Sequence, residues 1–192
     1  MSWSVGLDTS KVVYAINCGG GDLVDDIGLN YMADRDYEGG QTTSGCGNHR
    51  WQMSNMKIYH AERWGENFSY AIPLAEDVDS QHTLVLKFSE CYFWEPGMKV
   101  FDVYIGNVAL IQGMDPFLVA GGKLLPADIF VDIVVKNGKL FINQVPCLGG
   151  LIDSRMVINF RKGKADNPKV NAILMVEGGV ENTHKKTYDD YH

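Results

Sequence analysis

The sequence predicts an all-β chain folded as an antiparallel two-sheet β-sandwich, and three observations carry that expectation. Short apolar segments recur with period-two alternation. Turn residues separate them, and no window of helical length keeps apolar residues at i, i+3 and i+4. A chain of 192 residues, 45% of them hydrophobic, is long enough to bury one core. We expect a single sandwich domain over residues 12–178, preceded by an extension (1–11) and followed by a polar tail (179–192).

Residues 12–17 (VVYAIN) form the first strand, which breaks at Gly19-Gly20-Gly21. A glycine run after a strand could cradle phosphate, but no GxGxxG spacing, Lys-Ser/Thr pair or helix pattern follows, so nucleotide binding is excluded. Residues 22–53 are rich in Gly, Asp, Asn and Thr, with Tyr31, Tyr37 and Trp51 set among them, and read as irregular surface loops. Strands are then expected at 56–61, 68–74, 83–93, 99–105 and 108–111. Gly106-Asn107 is a two-residue hairpin turn, and Asn137-Gly138 between strands 129–135 and 140–145 is a type I′ signal. Strands at 155–160 and 170–176 complete the set. Pro73, Pro96, Pro116, Pro126, Pro146 and Pro168 punctuate strand ends.

A formal net charge of −7 argues against a phosphate-backbone binder and against anchoring on anionic lipid, so neither nucleic acid nor membrane insertion is expected. No apolar run approaches the length of a membrane span, and no basic start leads into an apolar signal core. Cys18, Cys46, Cys91 and Cys147 form no CxxC pair. They read as four free thiols, which favours a cytoplasmic location, with the secretory pathway as the alternative if a signal peptide has been removed.

Tyr92-Phe93-Trp94 closes the alternating run 82–91. Side chains of a strand alternate between faces, so one sheet face cannot bury all three rings. Either the strand ends there and the rings splay into a loop, or some face water, unless a neighbouring loop covers them. Glu90 beside them would suit a glycosidase only with a second carboxylate across a cleft, for which Asp25, Asp34 and Asp166 are candidates. The five histidines show no metal spacing and no serine elbow is present, so no enzyme activity and no cofactor is expected. Asp22, Asp25 and Asp26 offer hard oxygens for calcium, or simply cap turns. Asp166-Asn167-Pro168 is either an Asx turn or a carboxylate held at a loop end.

Taken in order, Tyr14-Ala-Ile-Asn-Cys-Gly-Gly20, Asp25 with Gly28, Tyr31…Asp34…Tyr37-Glu-Gly-Gly40, Tyr59-His-Ala-Glu-Arg-Trp64, Phe68-Ser-Tyr70, Leu84-Val-Leu-Lys-Phe-Ser-Glu-Cys-Tyr-Phe93, Lys99-Val-Phe-Asp-Val103 and Asp166-Asn-Pro-Lys-Val170 resemble the malectin domain over residues 12–178. The resemblance implies a β-sandwich lectin fold that binds short α-linked glucose oligosaccharides without catalysis. It assigns ligand binding to Tyr92 and Phe93 as the aromatic pair, Asp166 as the carboxylate, Trp64 as the aromatic closing the Glu-Arg motif, and the backbone at Gly19 and Gly20. A further loop tyrosine of the family is replaced by Ser44-Gly45-Cys46-Gly47, with Trp51 as a candidate substitute. The competing expectation is a cytosolic structural module that reuses the fold to dock a protein partner within a larger assembly.

Overall fold

A computed structural model describes residues 8–46 and 56–179. Trp51, most of the expected N-terminal extension and all but the first residue of the expected tail lie outside the described residues.

The chain is almost entirely β. One sheet has eight strands in the order β11 (Val145–Cys147), β10 (Lys139–Ile142), β9 (Pro126–Lys136), β6 (Ser80–Ser89), β15 (Ala172–Glu177), β1 (Val12–Asn17), β3 (Asn30–Ala33) and β2 (Leu23–Val24). The other runs β14 (Lys169–Val170), β5 (Glu62–Pro73), β13 (Arg155–Ala165), β7 (Val100–Ile105), β8 (Val108–Met114), with β4 (Tyr37–Thr43) on β5 and β12 (Leu151–Ile152) on β13. Pairing is antiparallel apart from β1 with β3, which is parallel.

Alternation builds the core as expected. In β9, Ala127, Ile129, Val131, Ile133 and Val135 point inward between half-exposed neighbours, and Phe101, Val103 and Ile105 do the same in β7. Phe160 pairs across strands with Phe68 and stacks on it at 4.7 Å. Truncating Phe160 to Ala would cost about 3–5 kcal/mol in lost burial and cavity. β15 is buried on both faces. Ile173 and Met175 face the inter-sheet core, while Ala172, Leu174 and Val176 face a second cluster with Leu29, Tyr31, Ile58 and Tyr59.

The Asn137-Gly138 turn has positive φ at both residues (51° and 70°), as a type I′ hairpin requires. Three sequence expectations are corrected. Residues 56–61 hold a 3-10 turn (Lys57–Tyr59), because a short apolar run buries Ile58 and Tyr59 equally well from a turn. Residues 22–53 contain β2, β3 and β4. The last is exposed and glycine-bearing, so it shows no alternation, and it bulges at Gly39-Gly40 (φ 76° and 71°) while pairing with β5. The strand expected over 83–93 stops at Ser89, which puts the aromatic triplet in a loop. Among the described residues a single α-helix, α1 (Pro116–Ala120), is capped by Asp115 and closed by left-handed Gly121.

Candidate functional site

The turn after β6 is shaped by Glu90. This residue is 1% exposed, and its Oε1 accepts hydrogen bonds from Tyr92 N (2.6 Å) and Phe93 N (2.9 Å). The backbone therefore leaves the strand and the rings splay outward. Tyr92 is 78% exposed and Trp94 73%, while Phe93 is half-buried with its ring edge-to-face on Tyr92 at 5.0 Å. Tyr92, Phe93, Trp94, Glu95 and Met98 line an open depression of about 590 Å³. On its flank, Lys123 donates to Tyr92 O at 3.2 Å and places its ammonium 3.4 Å from the Trp94 ring centroid.

Asp166 sits just past β13 in a left-handed conformation (φ 55°) that turns the chain sharply. The buried Lys99 ion-pairs with Asp166 Oδ2, donates to Asn167 O at 3.0 Å, and lies 5.6 Å from the Phe93 ring centroid. One ammonium is thus shared as a neighbour by the Phe93 ring and the Asp166 carboxylate. Only Oδ2 of Asp166 is engaged by Lys99, and a carboxylate retains capacity for further donors.

Trp64 lies in β5, paired with Lys169 on one side and Gln41 on the other. Gly19 packs against the same strand: a Cβ there would fall 2.2 Å from Glu62 O, and its φ of 78° also favours glycine. Gly20 lies against Asn17, and its carbonyl accepts from Asp34 N at 2.9 Å. Among the described residues, no hydrogen bond, ion pair or ring contact joins this group directly to Phe93 or Asp166. Lys169 bridges the two. Its buried ammonium donates to Ser89 O at 2.5 Å, at the foot of the aromatic turn, and ion-pairs with Glu62 on the strand of Trp64. Asn171 adds a second tie, accepting from Ser89 N (2.9 Å) and donating to Ala61 O (2.8 Å).

Lys99, Lys123 and Lys169 were not singled out from the sequence. Lys169 carried one signal: a lysine between Pro168 and an apolar run, where such residues are buried only when paired.

Two of the three candidate acid–base partners of Glu90, Asp34 and Asp25, are otherwise occupied, and the third, Asp166, is paired with Lys99. Asp34 takes Arg63 Nε and Nη2 on Oδ2 (3.1 and 2.7 Å) and Tyr70 OH on Oδ1 (2.7 Å). Burial, with Cys18 and Asp34 beside it, pushes the Tyr70 phenol far above its usual range, so it serves as a neutral donor. Asp25 caps a turn through Ile27 N and Leu29 N, and Asp22 accepts from Ala33 N. Two of the three calcium candidates, Asp22 and Asp25, therefore satisfy backbone donors. The group of ligand-type atoms that does converge among the described residues is Cys46, Glu62 and Cys91. There the sulfurs are bonded to each other and Lys169 neutralises the carboxylate, so it does not fit a metal.

That Cys46–Cys91 disulfide corrects the expectation of four thiols. Its Cα atoms are 5.2 Å apart although 45 residues separate them, because the fold brings the segments that follow β4 and β6 together; Cys18 and Cys147 remain free and buried. The bond ties the loop after β4 to the root of the aromatic turn. It also corrects the cytoplasmic expectation, since disulfides persist in oxidising compartments. Among the described residues, no helix is long and apolar enough to cross a membrane.

The chain is 32% identical to Malectin-A of Xenopus laevis over 177 residues, covering 89% of this chain and 62% of the relative. It is 31% identical to human Malectin over 181 residues, covering 91% of this chain and 60% of the relative. The chain thus spans about three fifths of the length of these relatives. Its fold matches the ANXUR1 extracellular domain of Arabidopsis thaliana with a TM-score of 0.68 at 18% identity, covering 91% of this chain and 49% of that one. The internal disulfide points away from the cytosol, and the cytosolic form of the docking expectation falls with it. The sequence model of the malectin domain matches residues 12–173, and the chain belongs to the malectin-domain family.

Proposed function

We propose that the chain is a carbohydrate-binding module for short α-linked glucose oligosaccharides, acting in an oxidising compartment. Tyr92 and Phe93 supply the stacking platform and Asp166 the polar anchor. Trp64 closes one wall, and the backbone at Gly19-Gly20 lies at its foot. The observation that supports this reading is the Lys99 ammonium, which ion-pairs with the Asp166 carboxylate and lies 5.6 Å from the Phe93 ring centroid. Sugars present apolar C–H faces and hydroxyl edges, so a ring and a carboxylate at adjacent positions meet both. The local resemblance to malectins at about 30% identity supports the same ligand class.

Isothermal titration with a glucose disaccharide tests it. Wild type should bind. Asp166→Asn keeps the side-chain shape but forfeits a charge-assisted hydrogen bond of about 1.5–3 kcal/mol, a loss of roughly tenfold or more in affinity. Equal affinities would remove Asp166 from the site, and no heat with wild type would reject the ligand class.

A further inference from the structure

The aromatic turn holds one ring more than the proposed platform uses. Trp94 follows Phe93 directly and is 73% exposed, a large apolar surface to leave in water. Its ring is nonetheless fixed. The Lys123 ammonium lies 3.4 Å from the indole centroid, and Lys123 is itself pinned by its bond to Tyr92 O at 3.2 Å. The segment carrying Lys123 is anchored in turn, because Leu124 N donates to Glu90 O at 2.8 Å. A cation therefore supports one face of the indole while most of the ring stays open to solvent. Trp94 lines the same depression as Tyr92 and Phe93, together with Met98 and the Glu95 carboxylate.

We propose that Trp94 forms an additional sugar-stacking subsite, so that the chain recognises glucose oligosaccharides longer than two units. The proposal rests on the reading of Tyr92, Phe93 and Asp166 as the sugar site. A pre-positioned flat apolar face beside a carboxylate acceptor meets the C–H face and the hydroxyls of one more hexose. The step from Tyr92 to Trp94 spans up to ~7 Å of backbone, the scale of one sugar unit. Because Lys123 already orders the indole, stacking on it forfeits little side-chain entropy. Covering roughly 50 Å² of apolar surface then converts to about a tenfold gain in affinity.

The test is titration of wild type, Trp94→Ala and Trp94→Phe with maltose, maltotriose and maltotetraose, reading the ratio of long-chain to disaccharide affinity. Wild type should bind a longer chain about tenfold more tightly than maltose. In Trp94→Ala that ratio should fall close to one, and Trp94→Phe should keep part of it. Trp94 is exposed, so the variants are expected to fold, and circular dichroism checks this. Maltose binding with no gain on lengthening, or a gain that survives in Trp94→Ala, overturns the subsite and leaves the disaccharide reading standing. Failure of wild type to bind any of the three overturns both.

Discussion

Lys169 and Glu62 form an ion pair inside the sandwich, with Lys169 1% exposed, and this pair joins the strand of Trp64 to the turn of Tyr92 and Phe93. A buried ammonium is stable only while its hydrogen bonds are satisfied, and here Glu62 and the Ser89 carbonyl supply them. The candidate site therefore rests on an electrostatic joint rather than on apolar packing alone.

Removing one partner of that joint should be costly. Lys169→Met leaves Glu62 without its cation and Ser89 O without its donor, and should lower unfolding stability by about 3 kcal/mol. Adding Glu62→Gln should recover part of the loss, because the orphaned charge is gone. Urea unfolding of both single variants and the double variant checks this as a double-mutant cycle, and strictly additive effects would dissolve the coupling.

Thiol counting separates the disulfide from the free cysteines. Cys18 is fully buried, and burial drives its thiol well above the ordinary range, so it is inert in the folded state. Cys147 is buried and its thiol is likewise raised by burial. Native protein should show no reactive thiol. Denaturation without reductant should expose the two free cysteines, and reduction should bring the total to the four in the sequence. Four thiols before reduction would remove the Cys46–Cys91 bond.

What was legible in the sequence follows from which signals are local. β9 announces itself as a β-branched apolar run interrupted by Asp128 and Asp132 on its outward face, and Asn137-Gly138 because only small or permissive residues take two successive positive φ angles. β4 is silent, since a strand exposed along its length has no face to pattern. The disulfide is silent because the proximity of Cys46 and Cys91 is created by tertiary structure. Tyr92, Phe93 and Asp166 could be named from motif order. Their support from Lys99, Lys123 and Lys169 could not, because each lysine reaches its partners across the fold.

The pH dependence of stability should carry a histidine component. His82 lies opposite Glu177 in the β6–β15 ladder, and its Nδ1 is buried without a hydrogen-bond partner. Burial lowers its pKa below the ordinary 6.5, and the nearby Glu177 opposes this only in part. The unfolded chain then binds the proton more readily, so stability should fall as pH drops below about 6.5 and be unaffected above it. Urea midpoints at pH 7.5, 6.5 and 5.5 should decline in wild type and decline less in His82→Gln. Identical slopes would assign the effect to other groups.

Glu90 distinguishes a brace from a catalytic acid. Its Oε1 holds both amides of the aromatic turn, while Oε2 is buried with no hydrogen-bond partner. Glu90→Gln preserves an oxygen acceptor for Tyr92 N and Phe93 N, whereas Glu90→Ala strands both donors. The turn should survive the first change and loosen in the second, with a stability loss of about 1–3 kcal/mol in Glu90→Ala and a smaller one in Glu90→Gln. Disaccharide affinity should follow the same order, nearly retained in Gln and clearly weakened in Ala, because the rings lose their placement. A catalytic carboxyl obeys a different rule: Gln cannot give or take the required proton, so both substitutions abolish turnover alike. Assaying a chromogenic α-glucoside alongside the titrations separates the two. Hydrolysis by wild type that disappears equally in both variants would make Glu90 an acid, while graded binding without hydrolysis identifies it as the support on which the aromatic platform is built.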